Sequence, residues 1–271
     1  MNDPKLYTLM ATWLLIFVRI IGYFVQAPIF GSHHVPKQVL AGFAALLAIV
    51  LYPIVPVPPE MFGIGAELHY THYAALVPLI FSQFVVGLTI GYISFIIMAA
   101  VQFGAELLDV QMGLSVAASF DPGQGSVNMI RRMMFYIAMI LYLLMNGHVK
   151  QLEALRYSFD VIPLTGVTIT PRLIEMLAEK TGLIFTIGLQ ISAPVVAALF
   201  ITQVGLGLLA RVAPQMNVFM LSFPLNIMIG LSLLSASLLL FSERLGQLYD
   251  DQLYWMVRTI KLLAAGGAGH V

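Results

Sequence analysis

Two histidines have the spacing of a possible metal site. His69 and His72 stand three residues apart beside Glu67, so a helix would place both imidazoles on one face. A zinc site needs at least a third protein ligand in register, and the sequence offers no obvious one. Tyr70 and Tyr73 alternate with the histidines, which is equally typical of a membrane–water interface. We therefore predict no metal site and no cofactor.

The sequence lacks the residue spacings of common enzyme active sites. It contains no G-x-S-x-G, no H-E-x-x-H and no glycine-rich phosphate-binding loop. The absence of cysteine excludes disulfides, thiolate nucleophiles and iron–sulfur ligands. Because 13 Lys and Arg residues balance 13 Asp and Glu residues, there is also no basic field to attract nucleic acid. We predict neither an enzyme nor a nucleic-acid-binding protein.

Arg19 is the charged residue that most needs a physical explanation. It interrupts an apolar stretch, Leu6 to Gly31, that is long enough to cross a bilayer. An unpaired guanidinium at mid-bilayer costs about 2.5–3.5 kcal/mol even on insertion scales, so the side chain should face protein or water. We predict a structural ion pair with Glu106 or Asp109. The alternative is a residue that lines a pathway or contacts another subunit.

The composition as a whole is that of a membrane protein. Of the 271 residues, 60% are hydrophobic and 10% are charged, whereas soluble domains average about 45–50% and about 25%. The mean hydropathy of +0.93 agrees. Charge this sparse does not cover a water-exposed surface of this size, so the sequence predicts an integral membrane protein.

Six hydrophobic segments have the composition of membrane helices. Each spanning helix needs about 20 mostly apolar residues, and the segment that begins at Met133 reaches that length only with flanking polar residues. The apolar runs are too long for alternating strands, so we predict an all-α fold. The segments are Leu6–Gly31, Gln38–Pro59, Tyr70–Ala105, Met133–Gly147, Thr181–Ala210 and Val212–Ser242.

Amphipathic patterns lie between and after these segments. Apolar residues at three- and four-residue spacing predict a helix over Val149–Ile162 that stops at Pro163. Thr170 and Pro171 have the types preferred at an N-cap and at the first helical position. A second amphipathic stripe follows Ser242, which predicts a further helix at the C-terminal end.

Small residues at four-residue spacing indicate close helix packing. Gly87 and Gly91 form a G-x-x-x-G pair, and Ser232 with Ala236 forms a similar pair. Such pairs let two helix backbones approach closely. They serve either packing within the chain or packing against other subunits.

The stretch Glu106–Arg132 is apolar but irregular. It carries a turn signature at Asp121-Pro122-Gly123 between two hydrophobic segments. Irregular backbone at membrane depth is tolerated only where protein buries it or where it lines a cavity. The residues alone leave two interpretations open, a pore-associated loop and a simple surface connection.

Several ordered motifs resemble the FliR family of type III secretion export-gate subunits. The resemblance spans nearly the whole chain, and the Asn-Gly-His motif and the run ending at Phe219 look more like the flagellar than the virulence branch. The motifs are Gln111-Met112-Gly113-Leu114-Ser115, Phe120-Asp121-Pro122, Asn146-Gly147-His148, Ser158-Phe159 before Pro163, Ala193-Pro194-Val195, and the run from Ala210 to Phe219.

The resemblance implies a non-catalytic gate subunit in the bacterial inner membrane. In that family the subunit joins FliP and FliQ in a closed helical channel for unfolded flagellar proteins, and FlhB associates with the assembly. It implies kinked helical hairpins that are FliP-like in residues 1–180. A FliQ-like hairpin with an amphipathic C-terminal helix is implied for residues 181–263, and a disordered tail for residues 264–271. Assembled gates sit above the plane that hydropathy indicates, so these segments can be buried by partners as well as by lipid.

The resemblance also implies a loop that plugs the closed pore, within residues 106–125. Its apolar side chains would form a dewetted obstruction to ions, and its small flexible residues would let it move aside. The residues assigned to plug or gating are Val110, Gln111, Met112, Gly113, Leu114, Val116 and Phe120. Those assigned to assembly or structural charge are Arg19, Glu106, Asp109 and Arg211.

Two other functions remain as alternatives. One is the equivalent subunit of a virulence-type secretion system, which shares the architecture. The other is a secondary transporter for a small solute, which would need ionisable residues at the membrane midplane and broken helices in two related halves. Only Arg19 lies clearly inside a hydrophobic segment, and no internal symmetry is evident, so the transporter is disfavoured.

Overall fold

A computed structural model describes residues 4–31, 35–56, 71–114, 128–165, 167 and 169–267. Over these ranges all regular secondary structure is helical, which confirms the predicted all-α fold. The helices are α1 (Pro4–Gln26), α2 (Lys37–Leu51), α3 (Thr71–Gln111), α4 (Met129–Leu144), α5 (Gly147–Val161), α6 (Pro171–Val212) and α7 (Val218–Gly267).

The chain is an all-α integral membrane protein. In its described part four helices, α1, α3, α6 and α7, are long and apolar enough to cross a membrane. The pair α4 and α5 adds a fifth span if the two helices, bent by 67°, are counted together. Each of the six hydrophobic segments overlaps a helix, but α2 has only 15 residues and is too short to span. Within the described residues, hydropathy alone therefore indicates more spans than the helices provide.

The bend between α4 and α5 is made by a residue in a left-handed conformation. Asn146 has φ 54° and ψ 31°, a region that asparagine tolerates better than most residues. The helix that follows buries Leu155 and Phe159 and ends just before Ile162. The amphipathic helix predicted to stop at Pro163 is thereby confirmed.

The start of α6 and the buried face of α7 agree with the patterns in the sequence. The backbone N–H of Leu173 donates to Oγ1 of Thr170 at 3.3 Å, which confirms the predicted N-cap of α6. In α7 the predicted amphipathic stripe is buried at Leu245, Met256 and Ile260. This helix is continuous over 50 residues. It extends to Gly267, while residues 268–271 lie outside the described residues, and the disordered tail from residue 264 stays a prediction.

The chain divides into two compact units. The first contains residues 1–95, 146–179 and 250–271, and the second contains residues 96–145 and 180–249. The predicted division at residue 180 concerns likeness to other subunits and stays a prediction. Its boundary falls inside the continuous helix α6.

The G-x-x-x-G pair is used inside the first unit, where α3 packs closely on α1. A Cβ atom added to Gly91 would lie 2.5 Å from the carbonyl oxygen of Tyr23, and one added to Gly87 would collide with the carbonyl oxygen of Arg19. This confirms packing within the chain for these two glycines. Ser232 and Ala236 are instead exposed on α7.

Candidate functional site

The described start of the predicted plug, residues 110–114, is here called the plug stem. Met112 is fully buried, and its side chain occupies the space where a Cβ atom of Gly230 in α7 would stand. Gly113 has φ 77°, and a Cβ atom there would lie 2.9 Å from the ring of Phe223. The left-handed backbone and the close ring explain why glycine stands at this position. The plug stem is therefore anchored on α7.

The plug stem differs in part from its sequence prediction. Residues 106–111 belong to helix α3, so an irregular stretch from Glu106 was wrong over its first turn. Val110 is exposed, and Gln111 accepts a long hydrogen bond from Nε2 of Gln203 at 3.5 Å. Leu114 is half-buried. The predicted plug residues Val116 and Phe120 lie outside the described residues, and the plug itself stays a prediction.

Asp109 fastens the start of α4 to the end of α3. Its carboxylate is buried and accepts the backbone N–H of Ile130 at Oδ1 and that of Arg131 at Oδ2, both at 3.0 Å. The first N–H groups of a helix have no partner within the helix, and the helix dipole favours a negative charge there. Asp109 satisfies two such donors, so it acts as a helix cap across 21 residues of chain.

A second contact joins the same two helix ends at the surface. Nη1 of Arg131 lies 3.7 Å from Oε2 of Glu106, and both side chains are about half exposed. Exposed ion pairs of this kind contribute about 0–1 kcal/mol, so the buried Asp109 is the stronger of the two. Together the two carboxylates hold the segments on either side of residues 115–127 at a fixed place.

Arg19 is fully buried without a carboxylate partner among the described residues. Its Nε donates to Oε1 of Gln83 at 2.7 Å, and Nη1 donates to the carbonyl oxygen of Ser158 at 2.9 Å. Nη2 donates to the carbonyl oxygen of Ile162 at 3.1 Å. The guanidinium also stands 4.4 Å from the centre of the Phe159 ring, in a cation–π contact.

The end of α5 takes the place of the counter-ion predicted for Arg19. The last carbonyl groups of a helix lack intrahelical partners and carry the negative end of the dipole. The backbone carbonyl of Ile162, at the C-cap, is such a group because Pro163 stops the helix. The carbonyl of Ser158 accepts Arg19 in addition to the backbone N–H of Ile162. The predicted ion pair with Glu106 or Asp109 is wrong, since those carboxylates bind Arg131 and the start of α4.

A chain of polar side chains, missed from the sequence, continues this network within the first unit. The hydroxyl of Tyr23 donates to Oε1 of Gln151 at 2.8 Å, and Nε2 of Gln151 donates to Oε1 of Gln252 at 3.1 Å. Nε2 of Gln252 in turn donates to the carbonyl oxygen of Ser94 at 2.6 Å. All four residues are buried. The sequence signal for this hydrogen-bonded chain was the presence of glutamine on helix faces that are otherwise apolar.

The remaining predicted residues show no chemical centre in the described part of the chain. Arg211 is exposed in the last turn of α6, where a positive charge suits the helix dipole. Over the described ranges no group of three or more His, Cys, Asp or Glu residues is arranged to hold a metal ion. His69 lies outside these ranges.

The sequence matches one protein family over most of its length. The profile of the family described as bacterial export proteins, family 1, matches residues 10–252. The flagellar biosynthetic protein FliR of Bacillus subtilis (strain 168) is 34% identical over 230 residues, which cover 83% of this chain and 85% of the relative. FliR of Pectobacterium carotovorum is 30% identical over 234 residues (84% and 86%), and FliR of Escherichia coli (strain K12) 29% over 245 residues (89% and 90%).

The chain belongs to the FliR family of bacterial export proteins. Motifs that carry the FliR resemblance occupy the special positions of the fold. Met112 and Gly113 form the plug stem against α7, and Asn146 makes the left-handed bend before α5. Ser158 and Phe159 receive the guanidinium of Arg19. In this FliR-family protein the described motif residues thus fix the backbone conformation and hold the buried charge of Arg19.

Proposed function

We propose that the chain is a core membrane subunit of the flagellar type III protein export apparatus. In this proposal it forms, with FliP and FliQ, the closed gate through which unfolded flagellar proteins leave the cytoplasm. FlhB associates with it, and the assembly lies in the inner membrane at the flagellar base. The observation that carries the proposal is the family match over residues 10–252. Relatives that cover most of both chains and are named flagellar biosynthetic proteins support it.

The apolar surface of α6 and α7 supports a place in a larger assembly. Large apolar side chains are exposed along both helices, and extensive exposed apolar surface marks a site of contact with other proteins or with the membrane. Lipid and other subunits are the two environments that such faces accept. Among these side chains are Phe200, Ile201, Val204, Leu208, Phe219, Met220 and Leu239.

The plug is the gating element of the proposal. Residues 110–120 obstruct the closed channel, and the described contacts support this by fixing the segments on both sides of residues 115–127. Met112 anchors one side on α7, and Asp109 anchors the other through the start of α4. A short segment held at both ends is suited to block a pore and to move aside without disturbing the helices that carry it.

A deletion of the gene in its host tests the proposed function. We expect the culture medium to lose both hook protein and flagellin, and a plasmid-borne copy to restore both. The expected complex, after extraction in mild detergent, is a hetero-oligomer that contains FliP and FliQ. Intact flagellar export in the deletion strain would contradict the proposal and leave a virulence-type gate or a solute transporter. A self-contained monomer or homo-oligomer would favour the transporter.

A further inference from the structure

Three residues of α7 share the face that carries the plug stem. A Cβ atom added to Gly113 would lie 2.9 Å from the ring of Phe223, and Gly230 leaves the space that Met112 occupies. Residues seven apart lie on the same side of an α-helix. Asn226 stands between the two, three residues after Phe223 and four before Gly230, and it is buried. Residues 223, 226 and 230 are here called the stem face of α7.

The amide of Asn226 lacks a hydrogen bond that its burial requires. Its Oδ1 is buried and has no hydrogen-bond partner among the described residues, and the residue as a whole is 7% exposed. The other buried amides of the described chain, Gln83, Gln151 and Gln252, all form hydrogen bonds. A buried acceptor without a donor has lost its hydration without compensation, so it raises the free energy of the packed state. This cost falls on the face that carries the plug stem.

The backbone on both sides of this contact is held by few hydrogen bonds. Pro224 lies inside α7 and has no N–H to donate to the preceding turn. In the stem, the N–H of Met112 donates to the carbonyl of Leu108 at 2.9 Å, and the N–H of Gly113 donates to that of Val110 at 3.1 Å. Asp109 is fixed by its bonds to the start of α4. The stem can therefore leave α7 only if the turn that follows Asp109 opens.

We propose that the plug stem and the stem face of α7 form a latch with a closed and an open position, and that the unpaired amide of Asn226 keeps the latch easy to open. In the closed position Met112 and Gly113 gain packing, while Oδ1 of Asn226 has no donor. In the open position water satisfies the amide, which offsets part of the lost packing. The inference concerns a contact within this chain, so it holds whether or not the chain is an export-gate subunit.

Hydrogen–deuterium exchange tests the latch in the purified full-length protein, in detergent and with the subunits that co-purify with it. The readout is the exchange of the backbone amides of residues 110–114. Asn226→Leu replaces the amide with an apolar side chain of similar size, so it should slow this exchange about 5-fold or more. Asn226→Asp makes the buried group more costly at neutral pH and should accelerate the exchange by a similar factor. Opposite changes at one position distinguish the latch from a general disturbance by mutation.

Control variants separate the latch from overall stability. Ser235→Leu replaces an exposed polar residue of α7, about 140° around the helix from Gly230, and should leave the exchange of residues 110–114 unchanged. In Asn226→Leu the backbone N–H of Ile162, at the end of α5 in the first unit, should exchange as in the unsubstituted protein. Gly230→Ala sets a methyl group against the side chain of Met112, so it should open the latch and accelerate exchange in the stem.

Two results for Asn226→Leu would overturn the proposal. Unchanged exchange in the stem of the folded variant would mean that Oδ1 is already satisfied, for example by an ordered water, or is not released with the stem. Equal slowing at Ile162 would mean a global gain in stability, which needs no latch. If gel filtration shows that Asn226→Leu is not folded, Asn226→Asp decides, and unchanged or slower exchange in its stem refutes the latch. None of these measurements uses flagellar export, so failure of the latch and failure of the proposed function are distinguishable.

Discussion

Helices α1 and α3 differ from α6 and α7 in what surrounds them. All four are apolar enough to cross a membrane, yet 50% and 61% of the apolar stretches of α1 and α3 are buried within the chain, against 28% and 22% for α6 and α7. Hydropathy does not distinguish the two pairs. Small residues facing a neighbouring backbone do: Gly87 contacts the backbone of α1, whereas Gly205 in α6 has open space beside it. The first pair is thus stabilised by its own contacts, and the second depends on its surroundings.

The largest expected effect concerns the plug, whose stem rests on α7, a helix with an extensive exposed apolar face. Deletion of Met112 to Ser119 should increase ion conductance through the assembled complex, because it removes the apolar obstruction and its anchor on Gly230. Ion flux into vesicles that contain the purified complex measures the leak. Complexes of unchanged subunit stoichiometry serve as the control. Unchanged conductance in a correctly assembled deletion variant would refute the plug assignment.

The buried network of α1 and α3 should be the most sensitive part of the fold itself. Arg19→Met keeps an apolar stem but removes the guanidinium, so the carbonyl of Ile162 and Oε1 of Gln83 lose their donor. The carbonyl of Ser158 keeps only the backbone N–H of Ile162. Unsatisfied buried groups cost about 1–3 kcal/mol each, so for two such acceptors we expect a loss of about 2–6 kcal/mol. The thermal stability of the detergent-solubilised protein measures it.

Arg211→Met is the matched control for Arg19→Met. Arg211 is exposed and has no hydrogen bond or ion pair to another described residue, so its replacement should change stability by less than about 0.5 kcal/mol. Equal losses at both positions would mean that the network around Arg19 does not stabilise the fold.

Two glycines test the difference between the two helix pairs. The same substitution to alanine is expected to destabilise the protein at Gly87 and to stabilise it at Gly205. Gly87→Ala forces a methyl group against the backbone of α1 and should destabilise by about 1–3 kcal/mol. Gly205→Ala meets open space in α6 and should stabilise by up to about 1 kcal/mol, the gain in helix propensity. Thermal unfolding of both variants in one detergent checks the signs. A destabilising Gly205→Ala in the isolated chain would contradict an unpacked face there.

Local features of this fold were predictable from the sequence, and distant ones were not. The N-cap at Thr170 and the end of α5 before Pro163 follow from residues within one helical turn. The partners of Arg19 could not be predicted in this way. Ser158 lies 139 residues away in the sequence and contributes its backbone carbonyl, a group that every residue type has. Hydropathy likewise shows that α2 is apolar, but it does not show that this helix is too short to span a membrane. At the plug stem, Gly113 was recognisable as a flexible position, while its contact with Phe223 required the structure.

The smallest expected effect is the difference in stability between variants of two carboxylates beside the plug stem, Asp109 and Glu106. Asp109→Asn keeps one acceptor oxygen but replaces the other with an amide group that cannot accept the second N–H of α4. The lost charge-assisted bond should cost about 1–2 kcal/mol. Glu106→Gln breaks only an exposed contact and should cost less than about 1 kcal/mol. Thermal unfolding of the two variants measures the difference.

Ion conductance shows whether the Asp109 cap matters beyond stability. If the cap holds the start of α4 in place for the plug, Asp109→Asn should leak measurably at a temperature where the complex is still fully assembled, and Glu106→Gln should not. The two substitutions remove the same formal charge within one turn of α3, so a leak specific to Asp109 would come from the lost hydrogen bond and not from a change in net charge. Equal leakage by both variants would instead assign the effect to electrostatics at the surface of α3 and leave the buried cap with a purely structural role.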